Sequence, residues 1–224
     1  RGRRVSQRRF DVAGQRLIMR ADRTLHWPRA GILLLADPHF GKGSVFRRQG
    51  LGIPAGATRD DLDRLSRALA ETGSQRLVIL GDFLHAPPAG DEAWLDIFAA
   101  WRRRHTALDI LVTRGNHDRL ASVSDDWALD WRRGTVFEPP FAFRHEPGPV
   151  EGAYALAGHW HPVVQLRQGR ERLRAPVFWF GAECGVLPAF GRFTGGQPVK
   201  PRLGNQLFAV GPETIMHIGI GQRA

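Results

Sequence analysis

Cysteine is almost absent from the chain, and this excludes several classes of structure. Cys184 is the single cysteine among 224 residues, which excludes a disulfide framework and any zinc or iron–sulfur site built from cysteines. No apolar run approaches the roughly 18 residues of a membrane helix, and the first thirty residues lack the apolar segment of a signal peptide. Glycine and proline, at 26 and 15 residues, are near average usage, so collagen-like and low-complexity chains are excluded. We expect a soluble globular protein in a reducing, cytoplasmic environment.

Lysine is also scarce, although the chain is strongly basic. Only Lys42 and Lys200 of the 32 basic residues are lysines, so 30 are arginines, and the formal net charge is +10. A GC-rich genome would explain the ratio of arginine to lysine, but it does not explain the net charge. An excess of this size attracts polyanions, and the guanidinium fork suits bidentate contact with phosphate. Nucleic acid is therefore the leading class of partner.

The length and the apolar pattern predict a single α/β domain over residues 1–224. Residues 1–30 form a basic segment with strand or hairpin character, at Gln15–Met19 and Thr24–Trp27. Residues 31–162 alternate short apolar runs with amphipathic helices, the pattern of buried strands in a layered α/β fold. Residues 163–224 are rich in strands and predict a second, mostly antiparallel sheet that packs on the first.

Two helices are predicted between the first three apolar runs. The first has Thr58 as N-cap with Asp61 three residues later, and it stops at Gly73. The second opens near Asp91 and turns Trp94, Leu95, Phe98 and Trp101 inward.

Polar clusters stand directly after four apolar runs, and a further histidine lies between the last two clusters. The five segments are Asp37-Pro38-His39, Gly81-Asp82-Phe83-Leu84-His85, Gly115-Asn116-His117-Asp118, Arg144-His145-Glu146-Pro147 and Gly158-His159-Trp160-His161. In open α/β sheets, ligands bind outside the carboxyl ends of the strands. We therefore expect these segments to converge on one rim.

The rim offers seven oxygen or nitrogen ligands, which exceeds the need of one tetrahedral ion and suits two ions with bound water. The seven are Asp37, His39, Asp82, Asn116, His145, His159 and His161. A mixed set without thiolate suits manganese, iron, zinc or cobalt. Two such ions about 3.5–4 Å apart, bridged by a carboxylate and a hydroxide, form the centre that hydrolyses phosphate esters. Each motif alone is also compatible with a capped loop or a solvated histidine, but their joint occurrence after successive strands favours the metal centre.

This order of motifs resembles the calcineurin-like metallophosphoesterase superfamily, from about Ile32 to Pro162. The resemblance implies an α/β fold, a two-sheet β-sandwich flanked by helices in four α/β/β/α layers. It implies that Asp37, His39 and His161 bind the first metal, that Asn116, His145 and His159 bind the second, and that Asp82 bridges them. It also makes His117 the acid or phosphate-binding histidine, oriented by Asp118.

A narrower resemblance extends over most of the chain. Its segments are Asp37–Lys42, Phe46-Arg47, Gly50, Ile53-Pro54, His145-Glu146-Pro147, Leu187–Gly191 and Thr194–Gly196. They are similar to the bacterial ligase-associated DNA-damage-response phosphoesterases. This resemblance implies a manganese-dependent phosphodiesterase, in particular a DNA endonuclease that acts in DNA repair beside an ATP-dependent DNA ligase and a helicase.

Further residues are candidates for contact with the substrate or for support of the metal ligands. Lys42, Arg47 and Arg48 either hold flanking phosphates or form a solvated basic loop. Arg114 either reaches the rim or forms a structural ion pair, and His85 resembles a histidine that supports the metal ligands. Trp160 either stacks on a base or, as we favour, packs as a wall. Cys184 fits a small buried apolar residue.

Two other functions compete with the nuclease hypothesis. A phosphoesterase for nucleotides, dinucleotides or nucleotide sugars would need the same metals but not the basic surface. A non-catalytic interaction scaffold would not need a complete ligand set. The choice between DNA and RNA, the strandedness, the polarity of cutting and the oligomeric state stay open.

Overall fold

The described part of the chain forms two β-sheets with three α-helices. In the computed structural model, the described residues are 5–48, 50, 56–88, 92–118, 123–168, 171–192 and 194–220. None of the helices in these ranges is long and apolar enough to cross a membrane.

The first sheet has seven strands that follow one another in chain order. They are β1 (Gln7–Val12), β2 (Gln15–Arg20), β3 (Leu25–Trp27), β4 (Ile32–Ala36), β5 (Arg76–Leu80), β6 (Asp109–Thr113) and β7 (Asp130–Arg132). Neighbours from β1 to β4 pair antiparallel, and those from β4 to β7 pair parallel. The carboxyl ends of β4, β5 and β6 therefore lie side by side.

The second sheet is mixed and mostly antiparallel. Its strands are β8 (Val136–Glu138), β9 (Phe141–Phe143), β10 (Tyr154–Ala157), β11 (Val163–Gln168), β12 (Glu171–Phe180), β13 (Cys184–Val186), β14 (Gln206–Val210) and β15 (Ile215–Ile218). The order is β15-β14-β12-β13-β10-β9-β8, with β11 paired to β12. Strand β10 is parallel to both of its neighbours, β9 and β13.

The helices are α1 (Lys42–Arg48), α2 (Ala57–Thr72) and α3 (Ala93–Arg104). Helix α2 ends as predicted, because Gly73 has φ 64° and donates its N–H to the carbonyl of Leu69. The predicted N-cap Thr58 is wrong. The helix already begins at Ala57, after a left-handed Gly56 (φ 107°), which has no side chain to cap it. The predicted opening of α3 near Asp91 falls on a residue outside the described ranges.

Alternate residues of the central strands face two different cores. Leu34 and Val78 point into the sandwich, where they pack with Phe143 and Phe178 of the second sheet. Odd-numbered neighbours such as Leu33 point the other way, against α2 and α3. These strands are buried on both faces, which explains why they read as continuous apolar runs rather than alternating ones.

The expected two-sheet sandwich with flanking helices is confirmed. Helices α2 and α3 cover the outer face of the first sheet. Within the described ranges, the outer face of the second sheet carries a small apolar cluster instead, built around Val164, Val177 and Leu207. Strand β1 was not predicted. It is mostly exposed, and its Phe10 stacks on Phe180 with ring centroids 4.2 Å apart.

Candidate metal centre

The polar clusters that follow the strands lie together at one edge of the sandwich. The loops after β4 and β5 are joined by the His39 N–H, which donates to the Asp82 carbonyl at 3.0 Å. The loop after β10 joins them, since the His159 N–H donates to Oδ2 of Asp37 at 2.8 Å. His145 follows β9, the parallel neighbour of β10. Both sheets therefore contribute to one rim.

Five of the seven predicted ligands have a left-handed backbone, which residues other than glycine rarely adopt. The φ angles are 48° for Asp37, 47° for His39, 36° for Asp82, 70° for His159 and 47° for His161. Each such residue costs about 1–3 kcal/mol and persists only where its surroundings enforce it. Strain of this kind concentrates at functional sites, so the loops are not ordinary turns.

The first group of candidate ligands comprises Asp37, His39, Asp82 and His161, with one ligand atom from each lying within 4.8 Å of the others. Nε2 of His39 is 3.3 Å from Nε2 of His161. Nε2 of His161 is 3.4 Å from Oδ2 of Asp37. Four nitrogen and oxygen donors thus converge on one point.

The second group comprises Asp82, His145 and His159, again within 4.8 Å. Nε2 of His145 lies 3.0 Å from Nδ1 of His159 and 2.9 Å from Oδ1 of Asn116. The other ring nitrogen of His145, Nδ1, lies 3.5 Å from the carbonyl of Leu80. Nδ1 also lies 3.4 Å from Oδ1 of Asp37. Backbone carbonyls and carboxylates are the usual partners that orient a metal-binding histidine.

Asp82 belongs to both groups through its two carboxylate oxygens. Oδ1 is 3.6 Å from Nε2 of His145, on the side of the second group. Oδ2 is 3.9 Å from Nε2 of His39, on the side of the first. The side chain is almost fully buried, and Oδ1 accepts the backbone N–H of His117 at 3.0 Å. One carboxylate therefore lies between two donor sets.

The donor chemistry fits two divalent ions. Oδ1 of Asp37 is buried and has no hydrogen-bond partner among the described residues, as expected for an atom that binds a cation. Burial, followed by the charges of His161 and Lys42, lowers the pKa of His39 to about 2. The ring is therefore neutral near pH 7 and keeps a lone pair. Burial also raises the pKa of Asp37, so a cation would relieve the cost of its buried charge.

His117 stands beside the donor groups and has one ring nitrogen already occupied. Its Nδ1 lies 2.7 Å from the carbonyl of His85, so Nδ1 carries the proton and donates it. Its ring meets that of His39 edge to face at 5.2 Å between centroids. Nε2 is thus the nitrogen left for a substrate.

The predicted role of Asp118 as the residue that orients His117 is wrong. The Asp118 carboxylate is fully buried and accepts the backbone N–H groups of Phe83, Leu84 and Gly115 at 3.1, 2.9 and 3.0 Å. It therefore ties the loop after β5 to the loop after β6. The carbonyl of His85 performs the orienting role that the sequence assigned to Asp118.

Of the three predicted basic residues after the first motif, Lys42 interacts most directly with the centre. Burial lowers the pKa of its ammonium group, and the charge of Asp82 partly offsets this shift. Arg47 donates to Oγ of Ser44 at 3.1 Å within α1. Arg48 forms an ion pair with Glu92, so its guanidinium is engaged within the fold rather than free for phosphate.

His85 and Trp160 pack beside the donor groups rather than within them. The ring of His85 stacks on His117 with centroids 5.3 Å apart. Burial, followed by the charge of Lys42, lowers the pKa of His85 to about 4. Trp160 meets Trp179 of β12 edge to face at 5.4 Å. The favoured prediction for Trp160, a packing role, agrees with this contact.

A basic pocket that sequence reasoning missed adjoins the second group of donors. Its volume is about 440 Å³, and Arg114, Arg133, Arg144 and Glu146 line it together with Asn116 and His145. Arg114 lies over the ring of Trp131 at 4.6 Å and donates to the carbonyl of Asp118 at 2.9 Å. Arg114 agrees with its predicted position at the rim, and the position of Arg144 next to His145 in the sequence was a further signal. Nothing in the sequence marks Arg133.

The chain matches a phosphoesterase family in sequence and a solved nuclease in structure. A family profile described as calcineurin-like phosphoesterase matches residues 30–181. The structure of the Pseudomonas putida nuclease MPE is 37% identical in sequence, with a TM-score of 0.84 over 95% of this chain and 100% of that one. Yfce, a phosphoesterase from E. coli, has 17% identity and a TM-score of 0.40 over 86% of this chain and 94% of that one. No curated protein sequence matches the chain.

Proposed function

Because the chain belongs to the calcineurin-like phosphoesterase family, whose members hydrolyse phosphoesters, we propose that it is a two-metal phosphodiesterase that cuts DNA internally. The observation that carries the proposal is the shared carboxylate of Asp82, whose two oxygens face two separate donor groups. A site for one ion would not need a second group of donors beside the other carboxylate oxygen of Asp82.

We assign one ion to each of the two groups of candidate ligands. Asp37, His39 and His161 would hold the first ion, Asn116, His145 and His159 the second, and Asp82 both. When bound, two divalent ions supply an activated water and neutralise charge on the phosphate oxygens. Manganese is the metal that we propose from the family resemblance, and the donor set also suits iron, zinc and cobalt.

His117 is the proposed acid of the reaction. Because its Nδ1–H is held by the carbonyl of His85, a second proton can reside only on Nε2. From there it can hydrogen-bond a phosphate oxygen or pass to the leaving alkoxide. Lys42 adds positive charge near Asp82, which favours an anionic substrate. No side-chain nucleophile is needed for this reaction.

Three observations support nucleic acid as the substrate. The chain carries a net charge of +10, three arginines line the pocket beside the second donor group, and a solved structure with 37% identity is a nuclease. DNA rather than RNA, and a role in repair beside a ligase and a helicase, are proposals that rest on the family resemblance. Both sheets contribute to one core, which supports the proposal that residues 1–224 form one domain.

The test loads the protein with manganese and measures turnover of single-stranded DNA, duplex DNA, RNA and bis(4-nitrophenyl) phosphate side by side. We expect two ions per chain and cleavage of the DNA. Asp82→Asn should lose the second ion and most turnover, whereas Asp96→Asn, on an exposed position of α3, should retain both. A stoichiometry of one, or turnover of the small ester without cleavage of any polynucleotide, would overturn the proposal and favour a small-molecule phosphoesterase.

A further inference from the structure

The metal centre lies between two pockets lined by arginines, one at each end. The first pocket, with Arg114, Arg133 and Arg144, includes Asn116 and His145 of the second donor group. The other pocket, of about 250 Å³, is lined by Arg23, Arg174 and Arg192 and includes His161 of the first donor group. Each pocket therefore borders a different donor group, with Asp82 between them.

The pocket beside His161 continues into a larger basic surface. Arg23, Arg174 and Arg192 also line a neighbouring pocket of about 660 Å³, to which Arg64 and Arg67 contribute as well. The acidic residues on its wall are Asp22 and Glu213. The positive surface on this side thus extends well beyond what one phosphate group would occupy.

We propose that a polynucleotide strand crosses the metal centre from one arginine pocket to the other. This inference rests on the proposed function and deepens it by assigning the contacts on both flanks of the cut. On one flank, Arg133 and Arg144 bind phosphates of the strand. On the other flank, Arg174 and Arg192 do so. A mononucleotide or nucleotide sugar would occupy one pocket and leave the other without a ligand.

These four arginines make few hydrogen bonds and ion pairs within the described part of the fold, which leaves their guanidinium groups available to phosphates. Arg133 is exposed and has no hydrogen-bond or ion-pair partner in the described ranges, and the side chain of Arg144 likewise has none there. Arg174 is exposed and makes one hydrogen bond, to the carbonyl of Gly196 at 2.9 Å. Arg192 is about half exposed and pairs with Asp60 at 3.1 Å and, more distantly, with the buried Asp61 at 3.8 Å. The pair with Asp60 is solvated, so a phosphate can replace it at little cost.

Two other arginines of the pockets have structural roles instead. Arg23 donates to the carbonyl of Ala189 at 3.2 Å, and burial lowers its pKa. Arg114 is held by Trp131 and the carbonyl of Asp118. Both add positive charge to the path, but changing either would also disturb the loops around the metals.

A strand held on both flanks is cut internally, because the reacting phosphodiester has further phosphates on each side. Each arginine–phosphate contact releases counterions, so log K falls with log salt by about 0.7 per contact on a single strand. Removing two contacts should therefore flatten the slope by about 1.4. Loss of one charge-assisted hydrogen bond typically weakens binding about tenfold.

The experiment compares three double variants of the manganese-loaded protein on a single-stranded DNA oligonucleotide labelled at one end. The variants are Arg133→Ala with Arg144→Ala, Arg174→Ala with Arg192→Ala, and the control Arg103→Ala with Arg104→Ala. The control removes the same charge from exposed positions at the end of α3. Because Arg192 pairs with Asp60, Arg174→Ala alone is a second variant for that flank. Binding is measured by fluorescence anisotropy between 25 and 200 mM salt, and KM and kcat by product formation.

Each pocket variant should raise KM for the strand about tenfold or more, flatten the salt slope, and lower the ratio of strand cleavage to bis(4-nitrophenyl) phosphate hydrolysis. The control should match the unaltered protein. An effect confined to one pocket would overturn the two-sided path, and an effect equal to the control would overturn both flanks. If the unaltered protein hydrolyses neither substrate with metal bound, the proposed function fails, which is a separate outcome from the failure of the path.

Discussion

Gly158 packs so closely against the first candidate ligand that a single methyl group at this position should disturb the metal centre. A Cβ added there would lie 2.5 Å from Oδ2 of Asp37, 2.6 Å from the carbonyl oxygen of Leu80 and 2.9 Å from Cβ of Ala36. The backbone of Gly158 is not left-handed, so the effect of Gly158→Ala is steric rather than conformational. The Leu80 carbonyl is also the neighbour of Nδ1 of His145, which links the perturbation to both donor groups.

The size of the effect follows from the displacement that the methyl group demands. Ordinary contacts of a Cβ begin at 3.4 Å, so Oδ2 of Asp37 must move by about 0.9 Å or the loop must move with it. A misplacement of about 1 Å in a catalytic group costs on the order of 100-fold in rate. Disturbing the partners of metal ligands typically costs about 10–100-fold in metal affinity. We therefore expect Gly158→Ala to lower the turnover rate by on the order of 100-fold and the manganese affinity by about 10–100-fold.

Manganese affinity is measured by isothermal titration calorimetry and turnover with bis(4-nitrophenyl) phosphate. Gly195→Ala is the matched control, because Gly195 is exposed and an added Cβ there meets no atom of the described residues within 4 Å. A thermal melt should show that Gly158→Ala still folds, with an overpacking cost of about 1–3 kcal/mol. If Gly158→Ala binds manganese and turns over like Gly195→Ala, the loops are not as tightly packed around Asp37 as we infer.

The remaining predictions concern catalysis, metal-linked stability, a buried ion pair and the thiol. His117→Ala should keep both metals and lose about 10²–10⁴-fold in turnover; undiminished turnover would exclude His117 from the reaction, and metal loss would make it a ligand. Manganese at about 100 times its Kd should raise Tm by about 5–10 °C. Binding at that concentration adds about 2.7 kcal/mol to the free energy of unfolding, and each kcal/mol shifts the Tm of a chain of this size by about 2–4 °C. An unchanged Tm in calorimetry would contradict binding to the folded state. Arg20→Ala should lower the free energy of unfolding, measured by urea titration, by about 3–5 kcal/mol, because Arg20 is fully buried and pairs with Asp22 and Glu71 at 2.7 Å each. Arg16→Ala removes an exposed ion pair and should lower the same free energy by less than about 1 kcal/mol. Burial raises the pKa of Cys184, so a thiol reagent at pH 8 should label it slowly in the folded protein and rapidly in denaturant; equal rates would show that the thiol is exposed.

The central strands and their polar ends could be predicted because their signals are local. The apolar runs directly before the Asp37 and His159 motifs are strands, Ile32–Ala36 and Tyr154–Ala157. Both are apolar on every residue because they are buried on two faces, so a continuous run marks them without any knowledge of their neighbours. The convergence of the following motifs then follows from parallel pairing, which brings the ends of β4, β5 and β6 to one edge.

Features decided by tertiary contacts could not be predicted in this way. Two of the partners of Asp118 are backbone N–H groups of another loop, those of Leu84 and Phe83, which lie 34 and 35 residues away in sequence. The carbonyl that orients His117 belongs to the backbone of His85, and a backbone group leaves no trace in residue identity. Threonine is a residue type that often caps helices, which is why Thr58 was predicted as the N-cap, but the left-handed Gly56 takes that position and the helix begins at Ala57.

The segment Leu187–Gly191 contains no candidate metal ligand, but it supports the backbone of the loop that carries Asp37. The Phe190 N–H donates to the carbonyl of Ala36 at 2.7 Å, and the Gly191 N–H donates to that of Asp37 at 3.3 Å. Ala189 also bridges to Ala36. The segment therefore fixes the end of β4, which the candidate ligand Asp37 directly follows, and its small residues allow the two backbones to approach.

The division of ligands between the sheets connects the fold to the chemistry. Asp37, His39, Asp82 and Asn116 follow strands of the first sheet, whereas His145, His159 and His161 follow strands of the second. Neither sheet alone carries a complete set for either donor group, so the centre exists only when the sandwich is closed. Closure buries the Asp37 and Asp82 carboxylates beside the histidine rings, and a buried charge without a counterion is costly. Bound cations would remove that cost and link the two sheets directly, which is why we expect metal binding to stabilise the sandwich as well as to enable hydrolysis.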